Sequence, residues 1–249
     1  MPVQIGKAGT GAREMARKRM LRIYGCVLAL WVAGSILVLA GNKLLCFDSY
    51  FVNLVGWLGF AFGTGLLIAV VKALSGKGKD ELNAAVMRAV KGAKAEEKVS
   101  EVLEGLPRGY AVFNDFPCPM GNIDHIVIGP TRVFVIETKS HSGEITLSAD
   151  GELLRDSKPL EKDFLKQVLG QCFWLKEKLA EPGGKAPFVN PVVAFTRAFV
   201  KVHQPVKGVR ILNKKWLVKH IAENNARIER EELDRIFYRL LDLKSEAAR

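Results

Sequence analysis

The sequence predicts an α/β domain built on a mixed sheet and preceded by a helical hairpin in a membrane. Three observations carry this. Residues 23–41, IYGCVLALWVAGSILVLAG, and 49–71, SYFVNLVGWLGFAFGTGLLIAVV, contain no charged residue. From residue 81 onward, segments with helical apolar spacing alternate with short β-rich runs. Some of those runs are joined by tight turns and others by helices, so antiparallel pairs and parallel crossovers share one sheet.

A membrane-spanning helix needs roughly 20 apolar residues, and both uncharged runs meet that length. The segment between them, Asn42 to Asp48, has room only for a turn. Gly59 and Gly63 lie one turn apart, a spacing that lets helices approach closely. Arg13, Arg17, Lys18, Arg19 and Arg22 precede the first run, and Lys72, Lys77 and Lys79 follow the second. Basic flanks stay on the cytoplasmic side. Both termini are therefore expected in the cytoplasm, at the inner (cytoplasmic) membrane.

The formal charge is +11, but it divides unevenly. Residues 1–79 hold ten Lys and Arg against two Asp and Glu; the rest of the chain holds 27 against 24. Topology and anionic lipid account for most of the excess, so global charge says little about nucleic acid. The four cysteines form no CxxC pair, which argues against a zinc site or a disulfide framework.

Residues 81–105 have helical spacing through Val86, Ala89, Val90, Ala93, Val99, Val102 and Leu103. Residues 110–116, 123–129 and 132–139 are expected strands, the last two joined by a GPTR turn in which Pro130 pre-sets the chain. SGEITLSADGELL suggests further short strands turning at Asp150-Gly151. Residues 161–180 are expected to form an amphipathic helix stopped by PGG. FVNPVVAFTR is expected as a buried strand and KGVRILN as a short one. KKWLVKHIAENN and EELDRIFYRLLDL are expected as closing helices, with Trp216 in the core.

Acids inside the hairpin arms are the chemical signal. With side chains alternating across a strand, Asp124 shares a face with Ile126 and Ile128, and Glu137 and Lys139 share one with Val133 and Val135. His125 points away and is expected to be structural or superficial. A hairpin closed between Pro130 and Thr131 pairs residues whose numbers sum to 261, which sets Asp124 opposite Glu137. Carboxylates in contact repel and raise each other's pKa, unless a divalent cation sits between them. Magnesium takes one or two carboxylates together with waters and phosphate.

Acid, hairpin and Glu-x-Lys together resemble the PD-(D/E)xK nuclease superfamily. GAKAEEKVSEVLEGLPRGYAVFNDF followed by GNIDHIVIGPTRVFVIETKSHSGEI is similar to the nuclease-related domain, NERD, over roughly residues 90–200. The resemblance implies a restriction-endonuclease-like mixed β-sheet flanked by helices, and Mg2+ or Mn2+ as cofactor. It implies Asp124 and Glu137 as metal ligands, Lys139 as the catalytic lysine, and Glu96 as the acid of the preceding helix, with Glu97 its neighbouring competitor. Gln167 fits the glutamine of the following helix, with Gln171 one turn on. Ala95-Glu96 stands where the family pattern has Gly-Glu, and Ile123 where the superfamily has proline.

From Pro182 to Ala222 the chain carries eight Lys and Arg and no acid. Lys201, Lys207, Lys214 and Lys215 in this block are expected to meet phosphates or the inner leaflet. The expected organisation is a basic N-terminus (1–22), a transmembrane hairpin (23–71), a linker and juxtamembrane helix (72–89), a nuclease-like domain (90–225) and a C-terminal helix (226–249). The expected function is metal-dependent phosphodiester hydrolysis of DNA, with RNA as the other candidate polymer and membrane lipid as a second partner. The alternative is an inactive scaffold of the same fold that binds nucleic acid or a membrane partner.

Overall fold

Six strands form the main sheet, in the order β1 (Val3–Ile5), β2 (Ala111–Cys118), β3 (Gly121–Ile128), β4 (Val133–Lys139), β8 (Val189–Phe195) and β10 (Arg210–Asn213). The structure is a computed structural model describing residues 1–11, 86–181, 186–223 and 227–247, with a few isolated residues between 13 and 84. The chain divides into two compact units, Met1–Ala12 with Lys91–Arg249, and Arg13–Val90. The sheet belongs to the first. Among the described residues no helix is long and apolar enough to cross a membrane. The expected hairpin lies outside them, apart from Gly25, Ala29 and Thr64.

The sheet is mixed, as expected. β2, β3 and β4 are consecutive antiparallel neighbours, while β1–β2, β4–β8 and β8–β10 pair in parallel. A second sheet, in the order β7 (Lys158–Pro159), β6 (Leu153–Arg155), β5 (Glu144–Leu147), β9 (Phe199–Val200), stands beside it. Strand β1 had no counterpart in the sequence reading. It extends the sheet edge from a point in the chain before both apolar runs.

Helices cover both faces. On one, α1 (residues 86–103, within the unit from Lys91) and the short α3 (Leu217–Ala222) bury Val99, Leu103, Leu217 and Ile221 against Val127, Phe134, Ile136 and Val192. On the other, α2 (Phe164–Leu179) buries Leu165, Val168, Cys172 and Leu175 against Phe113, Ile126, Val135 and Val193. Each such side chain taken fully from water contributes about 1.5–3 kcal/mol. Asp163 starts α2 by accepting from the Lys166 N–H at 2.9 Å. The C-terminal helix α4 (Arg230–Glu246) packs Ile236, Leu240 and Leu243 into this same core.

The β3–β4 turn is held by shape. A Cβ on Gly129 would lie 2.1 Å from Cδ1 of Tyr110, so no other residue fits without displacing that ring. Tyr110 Oη and Thr131 Oγ1 are hydrogen-bonded at 3.0 Å. The resulting register is Ile128–Val133, Ile126–Val135 and His125–Ile136, as the 261 rule requires. The ladder stops there, one pair short of Asp124 and Glu137.

Candidate active site

The alternation of faces fails at the two acids. Ile123 joins Ile126 and Ile128 in one core, a spacing that strict alternation forbids, so Asp124 does not simply share their face as expected. The β2–β3 register runs Asn114–His125 and then Phe116–Ile123, leaving the Asp115–Asp124 pair unmade. Asp115 has φ +52°, a left-handed conformation that Asp tolerates better than most residues. Two directly opposed carboxylates are unfavourable in a ladder, and here that one pair is skipped before pairing resumes at Phe116–Ile123. Both carboxylates are thereby freed for other partners.

Asp124 Oδ2 accepts from the Thr138 N–H at 2.6 Å, in the gap left where the β3–β4 ladder ends. This fixes Asp124 beside Glu137 and Lys139. Lys139 Nζ donates to Glu137 Oε1 at 2.5 Å and to Gln167 Oε1 at 3.2 Å, and lies 4.2 Å from the centre of the Phe164 ring. Glu137 is buried, and its Oε2 has no hydrogen-bond partner. His141, two residues beyond Lys139, packs on Phe164 and Phe195.

Glu96 enters from α1. Burial above all, then repulsion by Asp115 and Glu137, raises its pKa from 4.5 to about 7; the Gly9 N–H bonded to it acts the other way. Burial likewise pushes Asp124 well above the usual carboxylate range, with Glu137 and Glu96 adding to it, against the Thr138 N–H and Lys139. Asp124, Glu137 and Glu96 thus feel one another, and of the two helical candidates it is Glu96 that faces the site. Gln167 reaches Lys139, whereas Gln171 is buried and donates to the Asn122 carbonyl at 3.2 Å.

His125 is structural. It is buried, its Nδ1 lies 2.8 Å from Asn114 Oδ1, and burial lowers its pKa to about 3. Asp115 escaped the sequence reading, though an acid inside an apolar strand was the same signal that singled out Asp124. Its carboxylate is held by Thr10 Oγ1, by the Gly11 N–H at 2.7 Å and by Asn122 Nδ2 at 2.5 Å. Nothing in the sequence pointed to Gly9, Thr10 or Gly11, which arrive through β1.

The four basic residues sit in different local settings. Lys201 pairs with Glu144 at 2.7 Å. Lys207 lines a small cavity with Asp163 and Phe164. Lys214 and Lys215 lie on a 3-10 turn, Lys214–Trp216, just after β10. Trp216, expected in the core, is 52% exposed; helical spacing is a poor guide across a three-residue turn.

The donor set is hard oxygen, with one buried carboxylate oxygen unpartnered, and it fits Mg2+ or Mn2+. Among the described residues no three His, Cys, Asp or Glu side chains are grouped as a metal-binding cage. A cation that keeps most of its water needs no such cage.

A mixed sheet between helices, with carboxylates and a lysine gathered where two strands part, defines an α/β domain built for polar chemistry. Residues 91–196 match the family model of the nuclease-related domain, NERD. This segment carries a nuclease-related domain, and it contains Glu96, Asp124, Glu137, Lys139 and Gln167. No curated protein and no solved structure matches the chain.

Proposed function

We propose that this chain is a membrane-anchored, metal-dependent nuclease that hydrolyses phosphodiester bonds in DNA. The observation that carries this reading is Asp124 and Glu137 set together beside Lys139, with Glu137 Oε2 buried and unpartnered and Glu96 within electrostatic reach of both acids. Carboxylates brought this close repel, and a divalent cation between them removes the repulsion. Asp124 and Glu137 would hold Mg2+ or Mn2+, which supplies charge stabilisation at the scissile phosphate.

The chain's own residues supply the rest. Lys139 is aimed by Gln167 and seated on the Phe164 ring, so its ammonium is fixed before substrate arrives. From there it balances charge that develops on the phosphoryl oxygens and steadies the attacking water. Glu96, with proton affinity near pH 7 in the metal-free domain, suits a general base. Lys201, Lys207, Lys214 and Lys215 meet the substrate backbone.

Membrane anchoring is supported by the course of the chain. β1 and residues 91–249 lie in one unit, and both apolar runs fall between them. An even number of crossings returns the chain to the side it left, as the basic flanks predict. The test is cleavage of plasmid and single-stranded DNA by the detergent-solubilised chain with Mg2+, Mn2+ or EDTA. Metal-dependent cutting that Lys139→Ala abolishes is the expected result. Binding without cutting, under every metal, would refute it.

A further inference from the structure

The parallel strands β4, β8 and β10 end together at one edge of the sheet, at Lys139, Phe195 and Asn213. The site occupies the β4 end. Beyond β8 and β10 lies a groove of about 320 Å³ lined by Phe199, His203, Arg210, Asn213, Lys215 and Trp216, among others. Asn213 holds its two walls together, donating to the Ala198 carbonyl at 2.8 Å.

Two aromatic rings are exposed here, Phe199 by 62% and Trp216 by 52%. Lysines surround them: Lys215 and Lys219 lie 5.4 and 6.0 Å from the Trp216 ring centre, and Lys201 lies 6.0 Å from that of Phe199. Glu144 partly offsets Lys201, and Glu223 reaches Lys219 at 3.9 Å. Lys215 and Arg210 make no ion pair among the described residues, and Arg210 Nε is buried without a partner. Thr196 N donates to the Lys139 carbonyl at 3.0 Å. Phe199 is three residues further on, at most about 11 Å along the chain.

We propose that this groove binds single-stranded nucleic acid, with Phe199 and Trp216 stacking on unpaired bases and Lys215, Lys219 and Lys201 meeting the phosphates. The inference rests on the nucleic-acid reading of the neighbouring site and adds the form of the substrate. A base within a duplex has no free face to offer a ring, whereas a single strand offers one per nucleotide. A membrane surface is the competing occupant, since aromatic and basic residues also mark lipid interfaces. Two features favour the strand: the surface is concave rather than protruding, and its exposed His203 suits base edges better than acyl chains.

The experiment uses the full chain with Lys139→Ala, in EDTA, so that binding is read without cleavage. Probes are fluorescein-labelled oligo-dT and a duplex of the same length. Oligo-dT should bind more tightly and should quench Trp216 emission, read as the difference between this protein and its Trp216→Phe variant. Phe199→Ala and Trp216→Ala should each weaken oligo-dT binding about tenfold with an unchanged salt slope. Lys215→Gln should lower that slope by about 0.7. Both rings are exposed, so unchanged melts should accompany these losses. Equal duplex affinity, or ring variants that bind as before, would overturn the proposal. So would quenching of Trp216 by brominated anionic lipid in nanodiscs, which would assign the groove to the membrane. If unmutated Lys139 protein never cuts DNA yet the groove behaves as described, the nuclease reading fails alone.

Discussion

Glu96→Gln should stabilise the metal-free protein at pH 8. In the fold the Glu96 carboxyl has a pKa of about 7 against an ordinary 4.5, chiefly because it is buried. Between those values the native state holds a proton that the unfolded chain has lost. Stability from this group is therefore complete below about pH 4.5 and is lost as pH rises through about 7. Keeping Glu96 ionised at pH 8 costs on the order of 3 kcal/mol. Glutamine retains an oxygen to accept the Gly9 N–H but needs no ionisation. Thermal melts of the full chain in detergent and EDTA should show no gain at pH 4 and a gain of roughly 5–10 °C at pH 8. Mg2+ at a hundredfold its Kd stabilises the native state by about 2.7 kcal/mol; held by Asp124 and Glu137, it should raise parent and variant alike. A variant less stable than the parent at pH 8, or a parent whose stability rises from pH 5 to 7, would refute the assignment of Glu96 to the acid cluster.

Glu137→Gln and Lys139→Ala should each lower DNA cleavage at least about a hundredfold, with little change in thermal melt for Glu137→Gln. A proportionate fall in melt and activity would mean that the pair is structural. Gly9 has φ +74°, and a Cβ there would sit 2.9 Å from the Ala93 carbonyl oxygen. Gly9→Ala should therefore cost about 1–3 kcal/mol and shift the pH profile of cleavage by disturbing the Glu96 hydrogen bond; an unchanged profile would separate β1 from the site. Gly129→Ala should cost about 1–3 kcal/mol by crowding Tyr110. In a Tyr110→Ala background the same substitution should cost much less, and full additivity would show that the ring is not what it meets.

Local signals made much of this domain legible. The strands expected over 110–116, 123–129 and 132–139 appear as Ala111–Cys118, Gly121–Ile128 and Val133–Lys139. The helix expected over 161–180 appears as Phe164–Leu179, beginning after Asp163. Alternation, helical spacing and turn residues were enough because each acts within a few residues. Strand β1 was invisible for the opposite reason. Three residues carry no period, and their reason for being extended is the edge of β2, more than a hundred residues away. The Thr10 and Gly11 contacts to Asp115 follow from that docking. Without β1 the sequence could not have placed the N-terminus beside Glu96.

The site itself was legible in composition but not in geometry. The period-two rule put Asp124 on the face of Ile126 and opposite Glu137, and the register it assumed does hold from Ile128–Val133 to His125–Ile136. A perfect continuation would have buried Asp124 in the α2-side core, where Ile123 now sits. It would also have set Asp115 and Asp124 face to face in the β2–β3 ladder. Burying a carboxylate without a partner costs far more than losing one ladder pair, so the ladder gives way. Asp115 turns through φ +52° and takes its bonds from Thr10, Gly11 and Asn122. Asp124 takes the Thr138 N–H that ladder pairing would otherwise use. The acids are therefore what interrupts the β2–β3 pairing, and the β3–β4 ladder stops beside the same point, at His125–Ile136, leaving a gap beside Glu137. If that reasoning holds, Asp115→Asn should leave the break in place, since Asn also tolerates positive φ, while Asp115→Val should close the break in the β2–β3 ladder. Amide hydrogen exchange read at residues 115 and 124 distinguishes the two. New protection in the valine variant, with cleavage lost and the melt kept, is the expected result. An unaltered exchange pattern would show that the break does not depend on the acid.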